Sequence, residues 1–336
     1  MFNVSPFASL AEVNRMLSAW DVRAGACETA RGGVENQTLI IDTIGATVGS
    51  WSQPRRVVLR LHHHGSDERV RLELAALRRL AGLDLPVPRP VPTIDGALVA
   101  EHQGAPASLL SYVDGLPLDR CVPTPVFARQ VGVLLARTSN ALAQLPEGRG
   151  ALAHDITDLA TTRDRLASCR KVDGLPWQRV ADALEDAARA VEAWPALPRQ
   201  VIHGDVSRNN IIYDDRRFAL IDFGDAGAAP RVADAAIALA QLAIVGGRLR
   251  PEIWSGLWAG YAAIVDPSDD ERAAVLPLVR LRYAKLIVDH VWRELSGRHH
   301  PGHLALVALG IEGLHALASA PSTVLSLDAV PVRGAA

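Results

Sequence analysis

Residues 199–227 read RQVIHGDVSRNNIIYDDRRFALIDFGDAG. Two short apolar runs, VIH and FALIDF, break a region that is otherwise helical by period, and a polar loop separates them. Asp205 and Asn210 fall in that loop, and Asp222 falls at the end of the second run, 17 residues after Asp205. A loop carboxylate, a loop amide and a strand-end carboxylate can converge on one point. All three offer the hard oxygen donors that Mg²⁺ takes. A carboxylate beside such a site could also orient a hydroxyl and accept its proton.

Working outward, residues 9–20 suit a short amphipathic helix. VENQTLIIDTIG and RRVVLRLHHH read as strands, with the glycine pair of ARGGVEN at a turn before the first. DERVRLELAALRRLAGL, 67–83, is a helix with acids at its start and arginines near its end, stopped by Gly82 and PVPRPVP. GALVAEH and ASLLSYVDG suggest two more strands. From Thr124 the character turns helical: VFARQVGVLLARTSNALAQL, WQRVADALEDAARAVEAW, and helix after helix from Arg231, with 225–231 read as a short loop. The expected organisation is two domains. Residues 1–113 form a lobe of strands with an inserted helix, and 114–336 form a larger helical lobe.

The chain has 336 residues, 49% of them hydrophobic, which suits a globular protein with a large core. Its net charge of −2 argues against binding nucleic acid by phosphate neutralisation, or a membrane by polybasic attraction. Only Lys171 and Lys285 are lysines; the other 33 cations are arginine, so chemistry in the first 170 residues has to use arginine. Cys27, Cys121 and Cys169 are odd in number and widely spaced, which suits a reducing cytoplasm and opposes a disulfide framework or a zinc site. The start of the chain has no basic leader followed by an apolar run. The longest apolar stretch, 235–247, is too short for a bilayer span and reads as a buried helix.

The joint pattern resembles the kinase superfamily. Asp205 and Asn210 keep the five-residue interval of the protein-kinase catalytic loop, and Asp222-Phe223-Gly224 supplies the metal motif. His203-Gly204-Asp205, and the further acid Asp225, are closer to aminoglycoside phosphotransferase and choline kinase-like small-molecule kinases. The resemblance covers roughly residues 20–320 and is strongest in 201–240; IDFGDAG…VADAAIALAQL looks most like homoserine kinase-type and hydroxylysine kinase-type members. It implies an α+β, protein kinase-like bilobal fold with a small antiparallel sheet lobe and a larger, mainly helical lobe. It also implies ATP and Mg²⁺ as cofactors and transfer of the γ-phosphate to a hydroxyl of a small metabolite. Asp205 would be catalytic, and Asn210 and Asp222 would hold the metal. Nucleotide contacts would come from Gly32, Gly33 and Asn36 over the phosphates, Arg60 paired with Glu73, and Ser111, Tyr112 and Val113 as the hinge. Protein kinases carry a long activation segment and an Ala-Pro-Glu motif after the Asp-Phe-Gly; here a helix begins at about 232, so no peptide platform is expected.

The acceptor is read from charge. Asp225 could meet an amine, and Arg280 or Arg282 a carboxylate, so an amino alcohol or a hydroxylated amino acid is expected. An aminoglycoside or another antibiotic is the alternative acceptor. A nucleotide-binding pseudokinase, favoured only by arginine at position 60, is the alternative of another class. His203 reads as a brace for its loop, and Asp234 as a buried structural acid. His62-His63-His64 alternate across a strand and cannot converge on a metal, and His299-His300-Pro301-Gly302-His303 reads as a turn between helices.

Overall fold

The computed structural model describes residues 9–30, 37–44, 56–62, 67–146, 158–193 and 197–327. The chain divides into two compact units, Met1–Asp114 and Gly115–Ala336.

The first unit is built on an antiparallel sheet. α1 (Leu10–Leu17) precedes strands β1 (Ala24–Thr29), β2 (Gln37–Thr43) and β3 (Arg56–Leu61). α2 (Asp67–Gly82) follows, then β4 (Pro90–Val91), β5 (Ala100–His102) and β6 (Ala105–Ser111). The strand order is β1-β2-β3-β6-β4, with β5 also paired to β6. Alternation decides which face is filled. Leu39 and Ile41 of β2 and Val57, Leu59 and Leu61 of β3 form one buried cluster with Val13, Met16 and Leu17 of α1 and Trp20. Arg60 therefore points to the opposite face. The Trp20 indole donates to the Val91 carbonyl at 3.0 Å. β1 was not expected: the first strand read from the sequence is β2. Ala-Gly-Ala-Cys-Glu-Thr has no β-branched alternation, and β1 is a strand because β2 pairs with it.

The second unit opens with β7 (Leu116–Pro117) and α3 (Pro125–Leu142), then α4 (Leu159–Cys169) and α5 (Trp177–Ala193). Four short strands follow, β8 (Arg199–Ile202), β9 (Ile211–Tyr213), β10 (Phe218–Leu220) and β11 (Gly227–Pro230). Next come α6 (Ala233–Leu242), the hairpin β12 (Ile244–Val245) and β13 (Arg248–Leu249), α7 (Pro251–Val265), α8 (Asp269–Leu295), α9 (His303–Ser319) and α10 (Ser322–Leu325).

Two expectations are corrected. The 225–231 stretch is a 3₁₀ turn followed by β11, which pairs with β8 from Gly227↔Ile202 to Pro230↔Arg199. The apolar run 235–247 is not one helix: α6 stops at Leu242, and the Gly246-Gly247 pair, both at positive φ, turns the chain into the β12–β13 hairpin. Every residue of α6 is buried, so it lacks a polar stripe to report its length.

α3 and α7 pack backbone to backbone. A Cβ on Gly132 would lie 2.1 Å from the Leu257 carbonyl oxygen, and one on Gly260 2.2 Å from that of Arg129. Trp254, Trp258 and Tyr261 of α7 are fully buried beside this contact. At the start of α8 a capping box joins Ser268 and Glu271. Glu271 also takes a two-pronged bond from Arg231, at 2.6 and 2.8 Å. Among the described residues no helix is long and apolar enough to cross a membrane.

Candidate active site

In the second unit the polar loop between β8 and β9 is fixed from below by one buried carboxylate. Asp234, in the first turn of α6, accepts the backbone N–H of His203 at 2.8 Å and of Gly204 at 2.9 Å. Burial pushes its carboxyl above the usual range, against the pull of His203 and those two amides. Gly204 sits at φ +85°, which a side chain would resist, and this explains the glycine between His203 and Asp205. His203 is fully buried against the Phe223 ring. Its Nδ1 accepts the Asp205 amide at 3.2 Å, which leaves Nε2–H to donate to the Ile221 carbonyl at 3.0 Å. The Ile221 amide in turn donates to the Asn210 carbonyl at 3.0 Å. Ile221 thus ties the Asp205–Asn210 loop to the residue preceding Asp222.

Asp205 is held at both oxygens. Asn210 Nδ2 donates to Oδ2 at 3.0 Å and to the Asp205 carbonyl at 2.9 Å. Arg282 Nη2, from α8, donates to Oδ1 at 2.7 Å. With its nitrogen spent on Asp205, Asn210 has its amide oxygen to offer a cation. Asp222 is exposed and left-handed, at φ 64°, a conformation aspartate tolerates better than most residues. These oxygens fit a cation that keeps waters and phosphate oxygens as its other ligands. Among the described residues no three His, Cys, Asp or Glu side chains gather into a metal-holding group.

In the first unit Arg60 and Glu73 meet in a buried ion pair, Nη1 to Oε1 at 2.6 Å. The Ser111 amide donates to the Arg89 carbonyl at 2.8 Å and that of Tyr112 to the Arg56 carbonyl at 3.4 Å. Gly32, Gly33 and Asn36 lie outside the described residues, as do His63 and His64.

The two candidate arginines of α8 part company. Residues two apart do not share a helix face: Arg282 meets Asp205, whereas Arg280 meets Asp186 of α5 at 3.0 Å. Asp225 is half-buried in the 3₁₀ turn after Asp222. His62 bonds Ser108, and His299 and His303 bond Glu294, which these contacts and the His300 amide hold at about 2. Trp292 stacks under Arg165, 4.4 Å from its ring centre. One contributor escaped the sequence reading: Arg208, inside the loop, donates to the Leu118 and Cys121 carbonyls at 2.6–3.1 Å. An arginine lodged between Asp205 and Asn210 was the available signal.

The fold is protein kinase-like: an aminopropanol kinase associated with a microcompartment superposes at a TM-score of 0.69, with 19% identity over 91% of this chain and 95% of that one. An amicoumacin kinase solved with AMP-PNP, Ca²⁺ and Ami superposes at 0.66, with 14% identity over 92% and 93% of the two chains. The model of the phosphotransferase enzyme family matches residues 27–276, and the chain belongs to that family. The homoserine kinase of Polaromonas naphthalenivorans is 25% identical over 297 residues, 83% of this chain and 87% of that one. That of Methylobacillus flagellatus is 32% identical over 174 residues, 50% of this chain, and the match spans about half (51%) of the relative's length.

Proposed function

We propose that the protein is an ATP-dependent small-molecule kinase that phosphorylates a hydroxyl of an amino alcohol or a hydroxylated amino acid of the homoserine or hydroxylysine kind. The observation that carries this reading is the Asp205 carboxylate, fixed at both oxygens on a loop that Asp234 anchors and Ile221 ties to Asp222. The homoserine kinase relatives and the family support it.

Asp205 orients the acceptor O–H and takes its proton while the hydroxyl oxygen bonds to the γ-phosphorus. The bond from that phosphorus to the β,γ-bridging oxygen breaks, and ADP leaves. The transition state is loose, so most of the catalysis is positioning and charge stabilisation. Asn210 and Asp222 are the residues to hold Mg²⁺, which when bound neutralises phosphate charge. Arg60, kept in place by Glu73, is assigned to the α- and β-phosphates; its planar fork suits phosphate oxygens. Gly32, Gly33 and Asn36 are assigned to the phosphates as well. The hinge role of Ser111, Tyr112 and Val113 falls to the backbone groups other than the two amides already bonded. Asp225 is assigned to the acceptor's amine. Arg280, engaged with Asp186, is left out of the site. The free cysteines Cys27, Cys121 and Cys169 suit a cytoplasmic enzyme.

The test incubates the protein with MgATP labelled by heavy oxygen in the γ-phosphate and a pool of hydroxy amino acids, amino alcohols and amino sugars. Mass spectrometry is expected to find one labelled phosphomonoester with the natural chain. With Asp205→Asn its rate should fall by about 10²–10⁴ while MgATP binding is retained. Near-normal turnover in that variant would defeat the assignment.

A further inference from the structure

On α8, beside Asp205, the bonding of Arg282 is incomplete. Its side chain is 13% exposed, and Nη2 is spent on Asp205 Oδ1 at 2.7 Å. Its Nε, on the same edge of the guanidinium, is buried with no hydrogen-bond partner. That edge is the one arginine uses to grip a carboxylate with two prongs. Arg231 shows the filled form in this same chain, with Nε and Nη2 on the two oxygens of Glu271 at 2.6 and 2.8 Å. At Arg282 the fork is half filled, and by a carboxylate that has other work to do.

The pairing also bears on Asp205. To meet an acceptor hydroxyl, this carboxylate needs one oxygen that is not already engaged. In the structure Oδ1 faces a guanidinium and Oδ2 faces the Asn210 amide.

We infer that Arg282 is the receptor for a carboxylate on the acceptor, and that Asp205 holds that place until the acceptor arrives. An acceptor carboxylate gripping the Nε–Nη2 edge satisfies the orphaned Nε–H. In the same movement it draws Arg282 off Asp205 and frees Oδ1 for the hydroxyl. Binding of the acid group and release of Oδ1 are then one event. Acceptors with a carboxylate are selected over the matching amino alcohols, in which nothing displaces Arg282. This inference rests on the kinase reading above and narrows its acceptor to hydroxylated amino acids.

The experiment uses acceptors in pairs that differ only by the carboxylate: L-homoserine with 3-amino-1-propanol, L-threonine with 1-amino-2-propanol, and hydroxylysine with its decarboxylated diamine. The ratio of kcat/KM within each pair is measured for the natural chain, for Arg282→Met and for Arg282→Lys. The natural chain is expected to favour the acid member of its preferred pair by roughly a hundredfold, the scale of one charge-assisted two-pronged contact. In Arg282→Met the ratio should fall below about tenfold, chiefly through a higher KM for the acid. Arg282→Lys keeps the charge without the fork and should lie between; it carries the test alone if the methionine variant does not fold. A ratio that is the same in the natural chain and in a folded variant overturns the inference and leaves the kinase reading standing, as does a natural chain that prefers the amino alcohol. If no member of any pair is phosphorylated by a chain that binds MgATP, the acceptor reading fails and the inference falls with it.

Discussion

Asp234 shows how much of the candidate site depends on a single buried residue. Its carboxylate is the acceptor for two buried amides, and Asp234→Ala leaves both without a partner. Each orphaned buried donor costs about 1–3 kcal/mol, so urea denaturation is expected to show a loss of roughly 2–6 kcal/mol. Turnover should fall further than stability explains, because the loop carrying Asp205 is no longer anchored. In the first unit, Arg60→Met leaves Glu73 as a buried charge without its guanidinium. Breaking a buried pair on one side costs roughly 3–5 kcal/mol, and KM for ATP is expected to rise with it; steady-state kinetics on the folded variant measures the second effect. The candidate site residues Asp205, Asn210 and Asp222 could be picked out by their spacing without knowing the packing, and the structure brings Asn210 onto Asp205. Arg282 was legible only as a charge. Nothing local distinguishes it from Arg280, since the choice between them depends on which side of α8 faces the loop and which faces α5.

At the scale of elements, the close approach of α3 and α7 is the most demanding contact in the second unit. A methyl group on Gly132 or Gly260 has backbone carbonyl oxygens in its way, and backbone cannot swing aside like a side chain. Gly132→Ala is expected to destabilise by about 1–3 kcal/mol, read as a lower urea midpoint at unchanged slope. The start of α8 gives a pH prediction. Burial works against ionisation of Glu271, but the Arg231 fork and the Ser268 amide outweigh it and hold its carboxyl below the ordinary 4.5. The unfolded chain therefore binds that proton first as pH falls. The stability Glu271 contributes is fully present above about pH 4.5 and is lost as pH drops through its lower folded value. Glu271→Gln should lower stability at pH 7 and flatten the acid limb of a stability-against-pH curve. Most helices were legible from their apolar period, and α4 was not. Its buried residues are only Thr162, Leu166 and Cys169, a face defined by what α8 presents to it: Lys285 Nζ bonds Thr162 at 2.9 Å, and Arg165 bonds Asp289 at 2.7 Å. The β12–β13 hairpin was missed because its first strand continues the apolar run of α6 without a break in composition. Only Gly246-Gly247 marked the turn.

For the whole molecule, the expected consequence of the proposed function is stabilisation by ligand. MgATP at about a hundred times its Kd should raise the unfolding free energy by about 2.7 kcal/mol, seen as a higher Tm. Adding a chelator should remove most of that gain if Asn210 and Asp222 hold Mg²⁺ as proposed. Composition at this scale foretold a large core and the scarcity of lysine, but not where the lysines would go. Lys285 is buried on α8 against Thr162, and Lys171 lies exposed in the turn after α4. The surface therefore presents a single lysine side chain among the described residues. Amine-directed coupling run so as to spare the more acidic α-amine would attach a fluorophore or a solid support at that one side chain. Chains tethered through it would all face the same way, in an orientation fixed by the fold.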